Sequence, residues 1–150
     1  MKIIIACDHG AYALKEKVKG WLADAGYEVR DLGCYGVESV DYPDYALPAA
    51  EALARGEAER GVFLRTTGIG VSICANKVRG VRCALCTDTM TARMTREHND
   101  TNALAMGAGV VGENLAKEIL FTWLGTPFSG AVRHQRRIDK ISAYESQSGN

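Results

Sequence analysis

Residues 2–7, KIIIAC, carry an apolar run that ends on Asp8 and His9, the pattern of a strand buried on both faces. Leu14, Val18, Trp21 and Leu22 then recur at helical spacing until Gly26 supplies a C-terminal stop. The alternation continues: strands are predicted over 27–32, 61–64, 81–86 and 103–106, and helices over 45–55, 71–78, 89–97 and 113–124. Five strand–helix alternations predict an α/β domain with a largely parallel sheet. A sixth helix, 133–146, carries Ile138, Ile141 and Tyr144 at helical spacing. It has no strand of its own, so it is expected to pack on a partner subunit. Residues 147–150 are polar and expected to fray.

Composition narrows this picture. With 150 residues, 47% of them hydrophobic, the chain suits one domain over 1–150 with a real core. Lysine plus arginine equal aspartate plus glutamate at 18 each, so no global field selects nucleic acid, membrane or an acidic partner. Any anion site must be local. The N-terminal apolar run is too short for a secretory signal and no stretch approaches a membrane span, so a cytoplasmic protein is expected. Five cysteines, an odd number, predict free thiols. Cys83 and Cys86 form a C-x-x-C, but on a strand residues three apart face opposite sides, which argues against a redox or zinc pair.

In an open parallel sheet, ligands bind beyond the carboxyl ends of the strands. Asp8 and His9 follow the first strand there, the stretch 65–70 follows the third, and Asp88 follows the fourth. Gly68-Ile69-Gly70 precedes a helix, so its N–H groups can converge on an oxyanion, or the pair can simply make a tight turn. His98-Asn99-Asp100 ends a helix, either as a cap or as a functional pair. Arg133 and Arg137 lie one turn apart with His134 beside them, either a phosphate grip or a solvated basic face. In Asp41-Tyr42-Pro43, the proline is expected to hold Tyr42 extended at a turn, where its ring can face a ligand.

In order along the chain, CDHG (7–10), DYP (41–43), TGIGVSI (67–73), ANK (75–77), REHND (96–100) and RHQ-x-R (133–137) together resemble the ribose-5-phosphate isomerase B family, which includes the galactose-6-phosphate isomerase subunits. The resemblance implies a flavodoxin-like, Rossmann-type three-layer α/β sandwich with a five-stranded parallel sheet. It also implies a homodimer or dimer of dimers whose active sites use both subunits, and no metal or organic cofactor. The implied substrate is a phosphorylated sugar, isomerised between aldose and ketose through a cis-enediolate. On that pattern His98 helps open the sugar ring and Asp8 assists at ring or hydroxyl oxygens. Thr67 with the amides of Gly68, Ile69, Gly70 and Val71 stabilises the enediolate. His9, Arg133 and Arg137 hold the phosphate, and Asn99 and Tyr42 contact sugar hydroxyls.

Two features depart from the family, the base and a phosphate-binding arginine. Arg65 stands where many members carry the cysteine base, and Val71 stands where another branch carries a glutamate base. Arginine stays protonated at any working pH and cannot be a general base. Gly109 stands where the family commonly has an arginine that can bind phosphate. Three consequences are open. Cys74, one turn after Val71, can be the base or a small core cysteine. Alternatively Arg65 reads a different substrate, such as a tetrose or hexose phosphate or one carrying another anionic group, while Asp8 or a second carboxylate takes the proton. Or the chain binds sugar phosphate with little catalysis, as a regulatory subunit. The arginines near 133–137 come without aromatic stacking positions, so a nucleic-acid partner is not expected.

Overall fold

The computed structural model describes residues 1–147; of the segment 147–150 expected to fray, Gln147 is the last residue of the final helix and 148–150 lie outside the described residues. Its five strands are β1 (Lys2–Cys7), β2 (Glu28–Asp31), β3 (Arg60–Arg65), β4 (Cys83–Leu85) and β5 (Ala103–Gly107). The helices are α1 (Tyr12–Asp24), α2 (Pro43–Ala54), α3 (Ile69–Lys77), α4 (Thr89–Asn99), α5 (Glu113–Gly125) and α6 (Val132–Gln147). All pairings are parallel, in the order β2-β1-β3-β5-β4. The expected three-layer parallel architecture is present. Relative to the flavodoxin order 2-1-3-4-5, the last two strands are exchanged, so that β5 lies inside β4.

That exchange sorts the helices. Parallel crossovers are right-handed, so connections that step one way along the sheet cover one face and those that step back cover the other. Steps β1→β2 and β4→β5 run in one direction, which puts α1 and α4 together, while β2→β3 and β3→β4 put α2 and α3 together. The two cores follow this division. Leu14, Val18 and Leu22 of α1, Ala92 of α4 and Ile119, Leu120 and Trp123 of α5 pack on Ile3, Ile5, Val62, Leu64, Leu104 and Met106. Ala46, Ala49, Ala50 and Leu53 of α2 and Val71, Cys74 and Ala75 of α3 pack on Ile4, Ala6, Phe63, Ala103 and Ala105. Alternate residues of each strand thus serve opposite layers.

The edge strands are shorter than their sequence patterns: β2 occupies 28–31 of the predicted 27–32, and β4 only 83–85 of 81–86. Neither has a fully buried residue, as expected where a strand is paired on one side only. The C-x-x-C residues separate as predicted, Cys83 packing on the α2–α3 layer and Cys86 lying in the α1–α4–α5 layer. Burial pushes the Cys86 thiol up to about 11 and that of Cys83 higher still.

α6 has no following strand and runs across the amino ends of the strands. Ser129 donates its N–H to Glu97 O before it begins (3.2 Å), and Glu145 near its end accepts from Gly80 N (3.3 Å). His134 and Ile138 are its buried residues, while Val132 and Ile141 are exposed. Among the described residues no helix is long and apolar enough to cross a membrane.

Candidate functional site

From the carboxyl end of β1 the chain steps one way, to β2, and from that of its neighbour β3 the other way, past β5 to β4, so the connections diverge at a switch point, where open α/β sheets hold ligands in a crevice. Asp8, 2% exposed, closes β1 and caps the short 3-10 turn at 9–11 by accepting Gly10 N at its Oδ1 (3.0 Å). Arg65 closes β3 and donates Nε to the other oxygen, Asp8 Oδ2 (2.9 Å). Its guanidinium lies over the Tyr42 ring, 4.2 Å from the centroid. Tyr42 in turn lies against the first turn of α3: a Cβ on Gly70 would come within 2.8 Å of its ring. Asp8, Arg65, Tyr42 and Gly70 therefore form one continuous contact chain.

Tyr42 is not extended before Pro43, contrary to the sequence expectation. It is helical (φ −58°, ψ −31°), with its carbonyl accepting Ala46 N (2.9 Å) as the first acceptor of α2. The helix bond and the ring contacts outweigh the pre-proline bias. On the other side of the crevice, His9 Nδ1 accepts Val40 N (3.2 Å), which leaves Nε2 as the donor of the neutral ring.

The G-x-G pair serves two different needs. Gly68 has φ +77°, and a Cβ there would lie 2.8 Å from the Met106 carbonyl carbon. Gly70 makes room for Tyr42. Thr67 Oγ1 accepts Ile69 N (3.3 Å), while the N–H groups of Gly70 and Val71 have no acceptor among the described residues. The first turn of α3 thus offers donors and the positive end of a helix dipole. Gly109 lies next to this turn, its N–H bonded to Thr66 O (2.8 Å), and a Cβ there would sit 3.1 Å from Thr66 Cγ2. The two departures from the family pattern, at 65 and 109, are therefore neighbours across β3 and β5.

A second cluster forms at the opposite end of the sheet. His98 and Asn99 occupy the last turn of α4, and Arg82, just before β4, donates Nε to Asn99 O (2.9 Å). Arg96, 3% exposed, pins this turn through Asp100 Oδ1 (2.8 Å), Thr101 O (2.6 Å) and Thr126 O (3.2 Å). The His98 ring stacks on His134 of α6, with centroids 4.2 Å apart and planes 10° from parallel. Arg82, His98, Asn99, His134 and Arg137 line a cleft of about 190 Å³. Exposed Arg133 and Arg137 flank His134 on α6.

Burial holds the His134 imidazole below the ordinary histidine range, with the His98, Arg133 and Arg137 charges acting in the same direction. The unfolded chain therefore binds this proton more readily, and stability present above the unfolded value of about 6.5 is lost as pH falls. Thermal melts across pH 5–8 should show a midpoint that declines on acidification below about 6.5, less steeply in His134→Gln. Equal slopes for the two proteins would remove His134 from the acid response.

One chain does not bring all the predicted residues together. Asp8, His9, Tyr42, Arg65, Thr67, Gly68, Ile69, Gly70 and Val71 stand at the carboxyl ends of the strands, whereas His98, Asn99, Arg133 and Arg137 belong with the amino ends. The six residues of β3 separate these ends by roughly 17–20 Å, further than one small phosphorylated sugar spans. Cys74 lies in the α2–α3 core, where burial raises its thiol although Arg65 pulls the other way, an environment that suits a packing cysteine better than a thiolate base. Asp88 caps α4 by accepting Thr91 N (2.7 Å). Sequence reasoning named His134 only as a neighbour of two arginines. The four-residue step from His134 to Ile138 marked it as a buried-face residue.

The sequence profile of the Ribose/Galactose Isomerase family matches residues 3–141. Ribose-5-phosphate isomerase B of Escherichia coli (strain K12) is 44% identical over 146 residues, covering 97% of each chain. D-erythrulose-4-phosphate isomerase of Pectobacterium atrosepticum is 39% identical over 148 residues, covering 98% of this chain and 97% of the relative. The solved structure of Clostridium thermocellum ribose-5-phosphate isomerase B superposes with a TM-score of 0.95 at 52% identity, covering 98% of this chain and 99% of the other. With the family profile spanning nearly the whole sequence and the same sheet carrying it, the chain belongs to the ribose/galactose isomerase family, as a sugar phosphate isomerase of the ribose-5-phosphate isomerase B group.

Proposed function

We propose that this chain interconverts ribose 5-phosphate and ribulose 5-phosphate through a cis-enediolate, as a cytoplasmic enzyme that needs no cofactor, in sites shared between two copies. One observation carries the reading: Asp8, Arg65, Thr67 and the open amides of the α3 first turn converge at the switch-point crevice. A proton next to a carbonyl is too weakly acidic for a side-chain base unless the oxyanion is stabilised as it forms, and oriented N–H donors can contribute about 2.7–4 kcal/mol each. In this reading the Gly70 and Val71 amides, with Thr67, perform that task. Asp8 assists at the ring or hydroxyl oxygens and Tyr42 contacts a hydroxyl.

The other half of the site comes from a second copy. Its α4–α6 cluster supplies His98 for ring opening, Asn99 for a hydroxyl, and Arg133 and Arg137 for the phosphate beside His9 of the first. Support for this arrangement is the distance between the clusters within one chain, together with the exposed apolar residues Ile69, Ile73 and Leu85 beside the crevice and Val132 and Ile141 on α6. Positioning energy from the remote phosphate then serves the chemistry at C1 and C2.

Arg65 favours a second reading of substrate length, because a cation replaces the smaller thiol in the family's base position; the D-erythrulose-4-phosphate isomerase relative fits such a shift. Ribose 5-phosphate, ribulose 5-phosphate and a panel of four- to six-carbon sugar phosphates, incubated with the protein in D2O, test both. Fastest isomerisation of the pentose pair is expected. Preference for a tetrose or hexose phosphate would support the second reading. Neither isomerisation nor deuterium at C1 or C2 would leave a phosphate-binding regulatory protein, detectable by ligand-dependent thermal stabilisation.

A further inference from the structure

Arg65 is held in a way that a simple ion pair does not require. Its backbone carbonyl accepts Ala108 N (2.8 Å), its Nε is fixed on Asp8 Oδ2, and its plane rests on the Tyr42 ring. Asp8 is itself fixed by Gly10 N, and Tyr42 by its seat on Gly70. The pairing with Asp8 uses one of the five guanidinium N–H donors. A structural pair often engages the carboxylate with both arms of the fork. Here the terminal nitrogens have no acceptor among the described residues, and a third of the side chain is exposed to the crevice. Through Tyr42, this cation stands beside the first turn of α3, where the oxyanion donors are.

We propose that Arg65 is an electrophilic catalytic residue, whose terminal nitrogens donate to the substrate oxygen that becomes negative in the enediolate, with Asp8 and Tyr42 as its positioning residues. The inference rests on the isomerase reading above and concerns which end of the substrate Arg65 touches. When the C2 proton of the aldose leaves for a general base, its bonding pair forms the C1–C2 double bond and the carbonyl pair moves onto O1. The proton returns to C1 as the O2 hydroxyl gives up its own proton to O1 and C2 becomes the carbonyl carbon, so nothing is consumed. A fixed guanidinium beside these oxygens is favourable only as charge develops, which raises kcat rather than ground-state affinity.

Two ligands separate this role from a phosphate grip. A phosphorylated aldonohydroxamate presents two adjacent oxygens in a plane, as an enediolate does. The alditol phosphate of the same length has the phosphate without the planar oxygens. Calorimetric titration of wild type, Arg65→Gln and Arg65→Ala with both ligands is the test, the glutamine retaining a donor for Asp8 and melting curves confirming folded protein. Hydroxamate affinity is expected to fall by about 10²-fold in the variants, with alditol phosphate affinity changed less than about threefold. Free guanidinium should restore part of the lost turnover in Arg65→Ala. Equal losses for the two ligands would make Arg65 a phosphate contact, and no loss for either would make it a structural pair; both outcomes overturn the proposal. Failure of wild type to bind either ligand would instead bring down the isomerase reading, and this inference with it.

Discussion

Two variants that are each inactive, Thr67→Ala and His98→Gln, are expected to regain about a quarter of the wild-type turnover per site when unfolded together in equal amounts and refolded. The number follows from symmetry. Random pairing makes half the dimers mixed, and in each mixed dimer one of the two equivalent sites receives both defects while the other receives none. Each parent alone should lose about 10²-fold or more if the proposed roles hold, Thr67 as an oxyanion-hole hydroxyl and His98 as the ring-opening acid–base group. Both substitutions suit the experiment because neither disturbs a core: Thr67 is exposed, and the His98 ring is only partly buried against His134. If one chain made a whole site, every site in the mixture would carry one defect, and the mixture would be as inactive as its parents. Recovery therefore reads directly on whether the carboxyl-end cluster of one copy works with the α4–α6 cluster of the other.

That the proposed site draws on a second copy was only half legible in the sequence. Residues 133–146 showed a helix without a strand, and the family resemblance implied shared sites. The physical reason is one of direction, not strand order: a helix joining two parallel strands runs from the carboxyl end of one to the amino end of the next, so α4 carries His98 and Asn99 to the amino side of the sheet, away from Asp8 and Arg65. Alternation of strand and helix gives the number and direction of the strands; it does not give their order, because apolar runs such as 81–86 and 103–106 look alike whether inner or edge. Burial distinguishes them, and β4 shrank to three residues.

At the site, a turn contiguous in sequence was legible, whereas contacts made across the sheet were not. The turn at 67–70 was recognisable as donors opening a helix. The Arg65–Asp8 bond links positions 57 apart and had no sequence signature, so Arg65 stood out only as a residue unfit to be a base. Tyr42 was misjudged because the pre-proline bias is local, whereas its conformation answers to Arg65, Gly70 and the start of α2.

The glycines of the turn offer the sharpest separation of fold from function. Gly68→Ala is expected to destabilise the protein by about 2–5 kcal/mol, because a left-handed non-glycine residue costs about 1–2 kcal/mol and overpacking about 1–3 more. At Gly68 the new Cβ would meet the Met106 backbone at 2.8 Å, and a central strand cannot yield as a side chain can. Gly70→Ala is different: the obstacle is the Tyr42 ring, also at 2.8 Å, and the residue lies within α3 rather than among the glycines with positive φ. The ring can swing away, but then Arg65 loses the surface on which it lies. Urea denaturation should therefore show a large loss for Gly68→Ala and a small one, within about 1 kcal/mol, for Gly70→Ala, where the better helix propensity of alanine offsets part of the strain. Turnover should fall in both, and in Gly70→Ala the loss should appear in kcat more than in KM. A Gly70→Ala protein with unaltered kcat would show that Tyr42 and the cation above it do not set the chemistry, whereas equal destabilisation of the two variants would show that the turn responds as one rigid unit.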